Sequence, residues 1–356
     1  MSSQLYYNED SSHSPSPCYY IGTNSAKQNN EIHHVQYNQS NNTISLINIY
    51  EHSHMIFYIC SAPHNAQSIV TVYYNSFARK YQATVWQCMH NSNTNTHQLE
   101  RLLDLPHISG CKITGIRFNT YNDNSNELLV CDEQSVHLYK FTDSSCTTID
   151  DDNGYTAMPN VSSDTYATAC AFNPHQPDSV AIAYNNNTIN LYNTPNKKIQ
   201  CTITLNTTLQ NSIKYIDFNP NKSNTIICGG TDRLIHMIDI RYNSVVSTLS
   251  NHSHWIWQCK YNRIYDQLIL SAGTDIINLW SITSGSSAAT VDSDDSGHSS
   301  APVTDRLIDS YTIDHTDSIY CVEWSGNDPF IFASLSYDGR FIIHHVRQDE
   351  KYKLLL

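Results

Sequence analysis

His252-Ser-His-Trp-Ile-Trp-Gln-Cys-Lys-Tyr261 leads into Leu268-Ile-Leu-Ser271, Gly273-Thr-Asp275 and Ile277-Asn-Leu-Trp280. An apolar run closes on an aromatic residue nine positions after the histidine, and an aspartate follows in a tight turn 23 positions after it. The frame returns at His315, with Trp324 nine positions on and Asp338, in Ser336-Tyr-Asp-Gly339, at 23. A serine precedes each turn, Ser271 in one copy and Ser334 in the other, and Trp280 follows the first turn.

Working outward, an aromatic anchor ends an apolar run at Phe118, Phe172, Phe218, Tyr261 and Trp324, with near copies in Phe172-Asn-Pro174 and Phe218-Asn-Pro220. A second anchor follows 19 to 21 residues later at Tyr139, Tyr192, Asp239, Trp280 and His344. Short apolar runs such as Leu128–Cys131, Val180–Tyr184 and Thr225–Cys228 lie between. Each unit reads as three strands and an outer fourth, and a period near 40–45 residues is the mark of a propeller. The expected fold is all-β, a seven-bladed WD40-type β-propeller formed as one domain over 1–356. Its blades fall at 3–50, 52–105, 107–158, 161–207, 209–250, 252–313 and 315–356. Three terminal leucines make a poor exposed tail. Lys351–Leu356 is therefore expected to pair with Phe341–Val346 as the last outer strand, with Leu5–Tyr7 as the rival closing segment.

In such repeats the histidine and aspartate meet across the blade, beside a Ser or Thr from the second strand and a Trp from the third. The expected structural network is His252, Ser271, Asp275 and Trp280, and then His315, Ser334 and Asp338 without the Trp. His52 repeats the nine-residue spacing to Ser61 without an evident aspartate. A histidine, aspartate and serine together can be read as a hydrolase triad. Recurrence in each well-kept blade argues for a structural role, because catalytic triads do not repeat.

The polar segments 89–98, 142–158 and 283–305 are expected as flexible loops between third and fourth strands, and the last, acidic and Ser-rich, as a candidate regulatory insert. The net charge of −13 argues against a nucleic-acid backbone or an anionic membrane surface as partner. No stretch approaches an apolar transmembrane span and no basic start with an apolar core suggests a signal peptide. The 11 cysteines are odd in number, form no C-x-x-C pair and read as reduced thiols of a cytoplasmic protein. Paired histidines at His33-His34, His52/His54 and His252/His254 lack the further converging ligands that zinc needs. No nucleotide-binding or hydrolase motif is present, so no cofactor, metal or enzymatic activity is expected.

The residue five positions after each blade-opening histidine is expected near the rim that carries the turns. It is Phe57, Trp257 and Tyr320 in blades 2, 6 and 7, against Thr114, Thr168 and Lys214 in blades 3 to 5. With Trp255 and Arg340 these aromatics form a candidate partner-binding patch, since Trp, Tyr and Arg dominate interface hot spots. Packing between blades is the competing reading.

His252 through Asn262, Asp266-Gln-Leu-Ile-Leu-Ser271, Asp317 through Ser325, Asp328 through Arg340 and the ending Lys351-Tyr-Lys-Leu-Leu-Leu356 resemble the EARP and GARP complex-interacting proteins. The resemblance is strong from Tyr215 onward and collinear but weaker before. It implies a non-enzymatic adaptor, a monomer within a larger assembly, that binds multisubunit EARP and GARP tethers. It further implies a place at endosomes and the trans-Golgi network, in endosomal recycling, retrograde transport and dense-core-vesicle cargo sorting. Ile238-Asp-Ile-Arg241 is a degraded W-D-x-R tail, which leaves a second reading as a substrate receptor of a cullin–RING ubiquitin ligase.

Overall fold

The computed structural model describes residues 16–25, 29–63, 65–91, 96–121, 126–142, 155–159, 164–205, 212–283, 305–312 and 315–355. Seven antiparallel sheets follow one another along the chain, and the fold is a seven-bladed β-propeller. The first sheet holds β1 (Cys18–Gly22), β2 (Asn30–Asn38) and β3 (Thr43–His52). The second holds β4 (Met55–Ala62), β5 (Asn65–Asn75), β6 (Lys80–Asn91) and β7 (Thr96–Asp104). The third holds β8 (Ile113–Phe118), β9 (Glu127–Asp132), β10 (Ser135–Lys140) and β11 (Tyr155–Pro159). The fourth holds β12 (Ala167–Phe172), β13 (Ser179–Tyr184), β14 (Thr188–Asn193) and β15 (Lys198–Thr204). The fifth holds β16 (Ile213–Phe218), β17 (Thr225–Gly230), β18 (Leu234–Asp239) and β19 (Ser244–Ser250). The sixth holds β20 (Ile256–Tyr261), β21 (Leu268–Gly273), β22 (Ile277–Ser281) and β23 (Arg306–Tyr311). The seventh holds β24 (Ile319–Trp324), β25 (Ile331–Ser336) and β26 (Phe341–His345).

The contacts gather into two compact units, Met1–Cys170 with Ser325–Asp328, and Ala171–Trp324 with Pro329–Leu356. In the first unit Ile32, Tyr50, Ile56, Ile69 and Cys88 form one core and Val70, Val85, Ile116, Leu128 and Tyr139 another. In the second, Ile227, Met237, Cys259, Ile269 and Trp280 form a core between blades 5 and 6, and Leu270, Leu279, Val322 and Phe332 one between blades 6 and 7. Every residue of the second strands β9, β13, β17, β21 and β25 is buried. With both faces covered, these strands have no polar side to alternate with, which is why they read as continuous apolar runs.

Both sets of anchors lie buried at strand positions that fix the blades: Phe118, Phe172, Phe218, Tyr261 and Trp324 end the first strands, and the second set stands on third strands. The Asn after the anchor explains the repeated aromatic-Asn pair. Asn119, Asn173, Asn219 and Asn262 are buried, and each Oδ1 accepts the N–H two residues on, at 2.8–3.2 Å. That short loop back to the main chain ends the strand and starts the turn. In blade 6 the Asn262 Nδ2 also donates to the Pro329 carbonyl at 2.6 Å, tying one turn to the next blade.

Two bulges recur. On the first strand the extra residue is Phe57 in β4, Thr114 in β8, Lys214 in β16, Trp257 in β20 and Tyr320 in β24. On the outer strand it is Ile47 in β3, Leu102 in β7, Gln200 in β15, Val246 in β19 and Ile308 in β23. A bulge adds twist and re-aims a side chain, so blades 2, 5 and 6, which carry both, are bent at fixed places along two strands.

Three sequence expectations change. Residues 89–98 are not one open loop: β6 and β7 extend into them and pair Met89 with Gln98 and His90 with His97, leaving 92–95 outside the described residues. Tyr155–Met158 belong to β11, paired with β10, so only 143–154 of that segment lie outside the described residues. The Ser-rich insert lies outside them over 284–304, bounded by a hydrogen bond from the Thr283 N–H to Asp305 Oδ1 at 2.8 Å.

The third change is at the C-terminus, where Gln348–Leu355 form a helix, α1, instead of an outer strand along β26. Asp349 and Glu350 sit in its first turn and Lys353 in its last, the arrangement a helix dipole favours. Glu350 is buried, bonded by Arg306 of β23 and by Lys353 at 2.8 Å. The Lys351 ammonium stands 4.8 Å from the Phe330 ring and Leu354 packs on the blade 6–7 core. The pairing of Glu350 with Arg306 and Lys353 favours the helix over a strand chosen by the leucines alone. The rival Leu5–Tyr7 lies outside the described residues.

In blade 1 the described strands are the second, third and outer ones. A Cβ on Gly22 would meet Ile56 at 2.9 Å, as one on Gly229 would meet Ile256 at 2.9 Å, so β1 stands where β17 does.

Candidate protein-interaction surface

The surface is built on the buried networks beneath it. In blade 6 the Trp280 indole N–H donates to Ser271 Oγ at 2.9 Å. The serine hydroxyl keeps its own proton to donate onward, and His252 Nε2 lies 2.7 Å from it. Asn278 Nδ2 reaches the same nitrogen at 3.2 Å. The ring is therefore held neutral with its proton on Nδ1, which is buried with no hydrogen-bond partner. Burial pushes the His252 pKa down to about 4, partly opposed by the charge of Asp275.

Asp275 does not complete the expected bond to His252. Its Oδ2 accepts from Ser253 Oγ at 2.8 Å, one residue short of the ring. Asp338 in blade 7 comes nearer, with Oδ1 3.7 Å from His315 Nδ1, while its oxygens accept the Thr316 and Arg340 N–H groups at 2.8 Å each. Burial would raise its pKa, but these bonds and those from Ser336 and the Thr316 hydroxyl bring it down to about 2. His315 Nε2 lies 2.7 Å from Ser334 Oγ, and His344 Nε2 stands 2.7 Å from the same oxygen, in the place of the Trp.

Sequence reasoning missed a third copy. In blade 2 the Trp86 indole donates to Thr71 Oγ1 at 2.8 Å, and Thr71 lies 3.2 Å from His52 Nε2. The signal was present, since hydroxyl follows histidine by 19 residues in all three blades: 52 to 71, 252 to 271 and 315 to 334. Blades 3 and 5 use a different pair, an aspartate in the turn bonded to a histidine of the third strand: Asp132 with His137 at 3.0 Å and Asp232 with His236 at 2.6 Å.

The unequal bonding of the two turn aspartates sets an expectation. Asp338→Ala strips acceptors from two backbone N–H groups and should cost about 1–3 kcal/mol in denaturant unfolding. Asp275→Ala removes one exposed hydroxyl bond and should stay within about 0.5 kcal/mol. Equal losses in the two variants would contradict this assignment.

Above the blade 6 network, Trp255 is 41% exposed, its ring 5.7 Å from Trp257 edge-on and 5.2 Å from His254. Trp257 itself is half-buried at the bulge of β20, its indole N–H buried with no acceptor. Tyr320, at the equivalent bulge of β24, is half-buried and stands 4.5 Å from Tyr337, which is 52% exposed. The two strands run side by side, joined by the Val322 N–H to Gln258 Oε1 at 2.6 Å and by the Lys260–Glu323 ion pair. Arg340 is exposed beside Asp338, at 4.0 Å.

The candidates thus divide: Trp255 and Arg340 are at the surface, Trp257 and Tyr320 lie half beneath it, and Tyr337 and His254 are additions that the turn motif had concealed. Phe57 belongs to the first unit, where it packs on Tyr81 at 5.3 Å against the core. Among the described residues no cluster of metal-ligating side chains occurs, and no helix is long and apolar enough to cross a membrane. Arg241, read earlier as part of a degraded W-D-x-R tail, forks onto Asp239 at 2.6 and 3.1 Å with its guanidinium 5.3 Å from the Tyr242 ring.

Comparison with known proteins matches residues 3–280 to the profile of the EIPR1 β-propeller and residues 308–345 to that of the WD domain, G-beta repeat. EARP and GARP complex-interacting protein 1 of Homo sapiens is 28% identical over 94% of this chain and 92% of its own length. The WD repeat-containing protein DWA2 of Arabidopsis thaliana is 30% identical over 92% of this chain and 89% of its own. EARP-interacting protein 1 of Caenorhabditis elegans is 34% identical over 39% of this chain. With the profile matched over residues 3–280 and the human and Arabidopsis relatives aligned over nearly its whole length, this chain belongs to the EIPR1 β-propeller family.

Proposed function

We propose that the protein is a non-enzymatic adaptor that binds multisubunit tethering complexes of the EARP and GARP kind. The carrying observation is the family match together with full-length relatives named for interaction with those complexes. On this reading the chain acts in the cytoplasm, peripheral to endosomes and the trans-Golgi network, in endosomal recycling, retrograde transport and dense-core-vesicle cargo sorting.

The face that docks the tether is Trp255, Tyr337 and Arg340, backed by Trp257 and Tyr320. Two exposed aromatic rings held by half-buried ones present area without the entropy cost of floppy side chains, and an arginine at the edge adds directional donors. Ser271 and Ser334 are fully buried in the networks described above, out of reach of a substrate.

The test is affinity purification from native cells with the intact chain and with Trp255→Ala and Tyr337→Ala. The intact chain is expected to recover tether subunits, and each variant to lose binding by about 2 kcal/mol, roughly 30-fold, with an unchanged melting curve. Recovery of cullin–RING ligase subunits in place of tether subunits would overturn the adaptor reading. Unimpaired capture by both variants would move the docking face elsewhere.

A further inference from the structure

We propose that the outer edge of blade 1 pairs with the same edge of a second copy of this chain. In β3, Ile44 is 46%, Leu46 52%, Ile47 41% and Ile49 41% exposed. The strand is the last of its sheet, bonded on one side to β2. Edge strands that stay single are commonly defended by charge, proline, shortness or a bulge, and of these β3 has the bulge at Ile47. β3 is ten residues long, the longest outer strand among the described residues, has no proline, and its one charged residue, Glu51, lies near its end, outside the neutral run 44–49. The other long outer strand, β7, carries Glu100, Arg101 and Asp104.

The bulge decides which face these side chains share. His34 pairs with Asn48 and Val35 with Leu46, so Ile47 is the extra residue. One added residue shifts the alternation by one, which brings Ile44 and Leu46 onto the same face as Ile47 and Ile49. Ser45 and Asn48 fall on the other face with Tyr50, which is buried in the blade 1–2 core.

The pattern is its own complement. Read from either end, Ile44-Ser-Leu-Ile-Asn-Ile49 runs apolar, polar, apolar, apolar, polar, apolar. A two-fold axis between Leu46 and Ile47 sets Ile44 opposite Ile49 of the second copy, Ser45 opposite Asn48 and Leu46 opposite Ile47. In a regular strand this register is forbidden, because neighbouring residues such as 46 and 47 point to opposite faces while paired residues must share one. The bulge removes the conflict, and two three-stranded sheets become one of six. A two-fold interface requires such self-complementarity, and an unrelated partner would not. The neutral stretch also keeps the charge of −13 on each copy away from the contact. The family resemblance implies a monomer within a larger assembly, and this edge argues for two copies.

Sedimentation equilibrium of the full chain tests the proposal. A reversible dimer is expected by a concentration on the order of 100 µM, as fits a small contact. It should tighten when salt is raised from about 50 to about 300 mM, because screening weakens repulsion between like-charged copies. Leu46→Lys and Ile49→Lys should remain monomeric with unchanged circular dichroism, the side chains being exposed. Under mild oxidation, Ser45→Cys chains mixed with Asn48→Cys chains should cross-link, and neither variant alone should do so beyond the background of the unsubstituted protein. A monomer at every concentration, a dimer that survives Leu46→Lys, or cross-linking of Ser45→Cys alone above background would overturn it. So would a monomeric chain whose β3 variants lose tether binding, which would assign the edge to a different partner.

Discussion

Lowering the pH from 7 to 5 is expected to remove about 6 kcal/mol of stability, from three histidines that the fold holds neutral. His34, His52 and His252 each have a pKa lowered from 6.5 to about 4. Burial is the main cause in all three, and at His52 it is partly opposed by the bond from Nδ1 to the His54 carbonyl at 2.9 Å. Both ring nitrogens of His34 are buried without hydrogen-bond partners, under the stacked ring of Tyr20 at 4.4 Å.

The sign follows from proton counting. Between pH 6.5 and 4 the unfolded chain binds these protons and the folded chain does not, so stability is complete above the unfolded value and falls as pH drops toward the folded one. At pH 5 each histidine accounts for about 2 kcal/mol, against a total of about 5–15 kcal/mol for a typical protein. The melting temperature should fall by about 8 °C between pH 7 and 5 in scanning calorimetry. Below pH 4 the depressed Asp338 adds a second loss, as protonation down to about 2 removes the acceptor of the Thr316 and Arg340 bonds. A melting temperature that is level across pH 5–7 would show that these rings are not held neutral.

Trp280→Ala is expected to destabilise the fold by about 3–5 kcal/mol. The ring is buried between Ile227, Cys259 and Ile269, and its N–H donates to Ser271 Oγ, which lies 2.7 Å from His252 Nε2. Trp280→Phe separates the two contributions. It keeps most of the packing and removes the donor, leaving Ser271 Oγ with an unfilled acceptor site, and should cost about 1–2 kcal/mol. Equal unfolding free energies for the Ala and Phe variants would mean that packing contributes nothing, and the core assignment would fail.

The blade frame was legible because it is written in residues with no alternative use. An aromatic-Asn pair both fills the space under a turn and bonds its backbone, so Phe218-Asn219 marks a strand end wherever it recurs. What stayed hidden depended on partners distant in the chain. The helix at 348–355 needs Arg306 to make a buried Glu350 tolerable, and nothing near Glu350 announces that residue. The blade 2 network was missed for a different reason. Its Trp86 lies 15 residues after Thr71, where Trp280 follows Ser271 by nine, because β5 and β6 are longer than their counterparts. Asp275 shows the converse failure: the spacing was right, and Ser253 took the bond that His252 was expected to make.

The bulge on the first strand bears on how such a protein can change partners. In blades 2, 3, 5, 6 and 7 one residue is left out of the ladder at the same place, and these positions hold Phe57, Thr114, Lys214, Trp257 and Tyr320, which share neither size nor charge. An unpaired residue can be exchanged without altering the register of the strand that carries it. Each of these five blades therefore offers one slot in which mutation tests a new surface chemistry while the hydrogen-bonded frame is inherited unaltered. Specificity in this fold can be rewritten slot by slot, on a timescale separate from that of the scaffold.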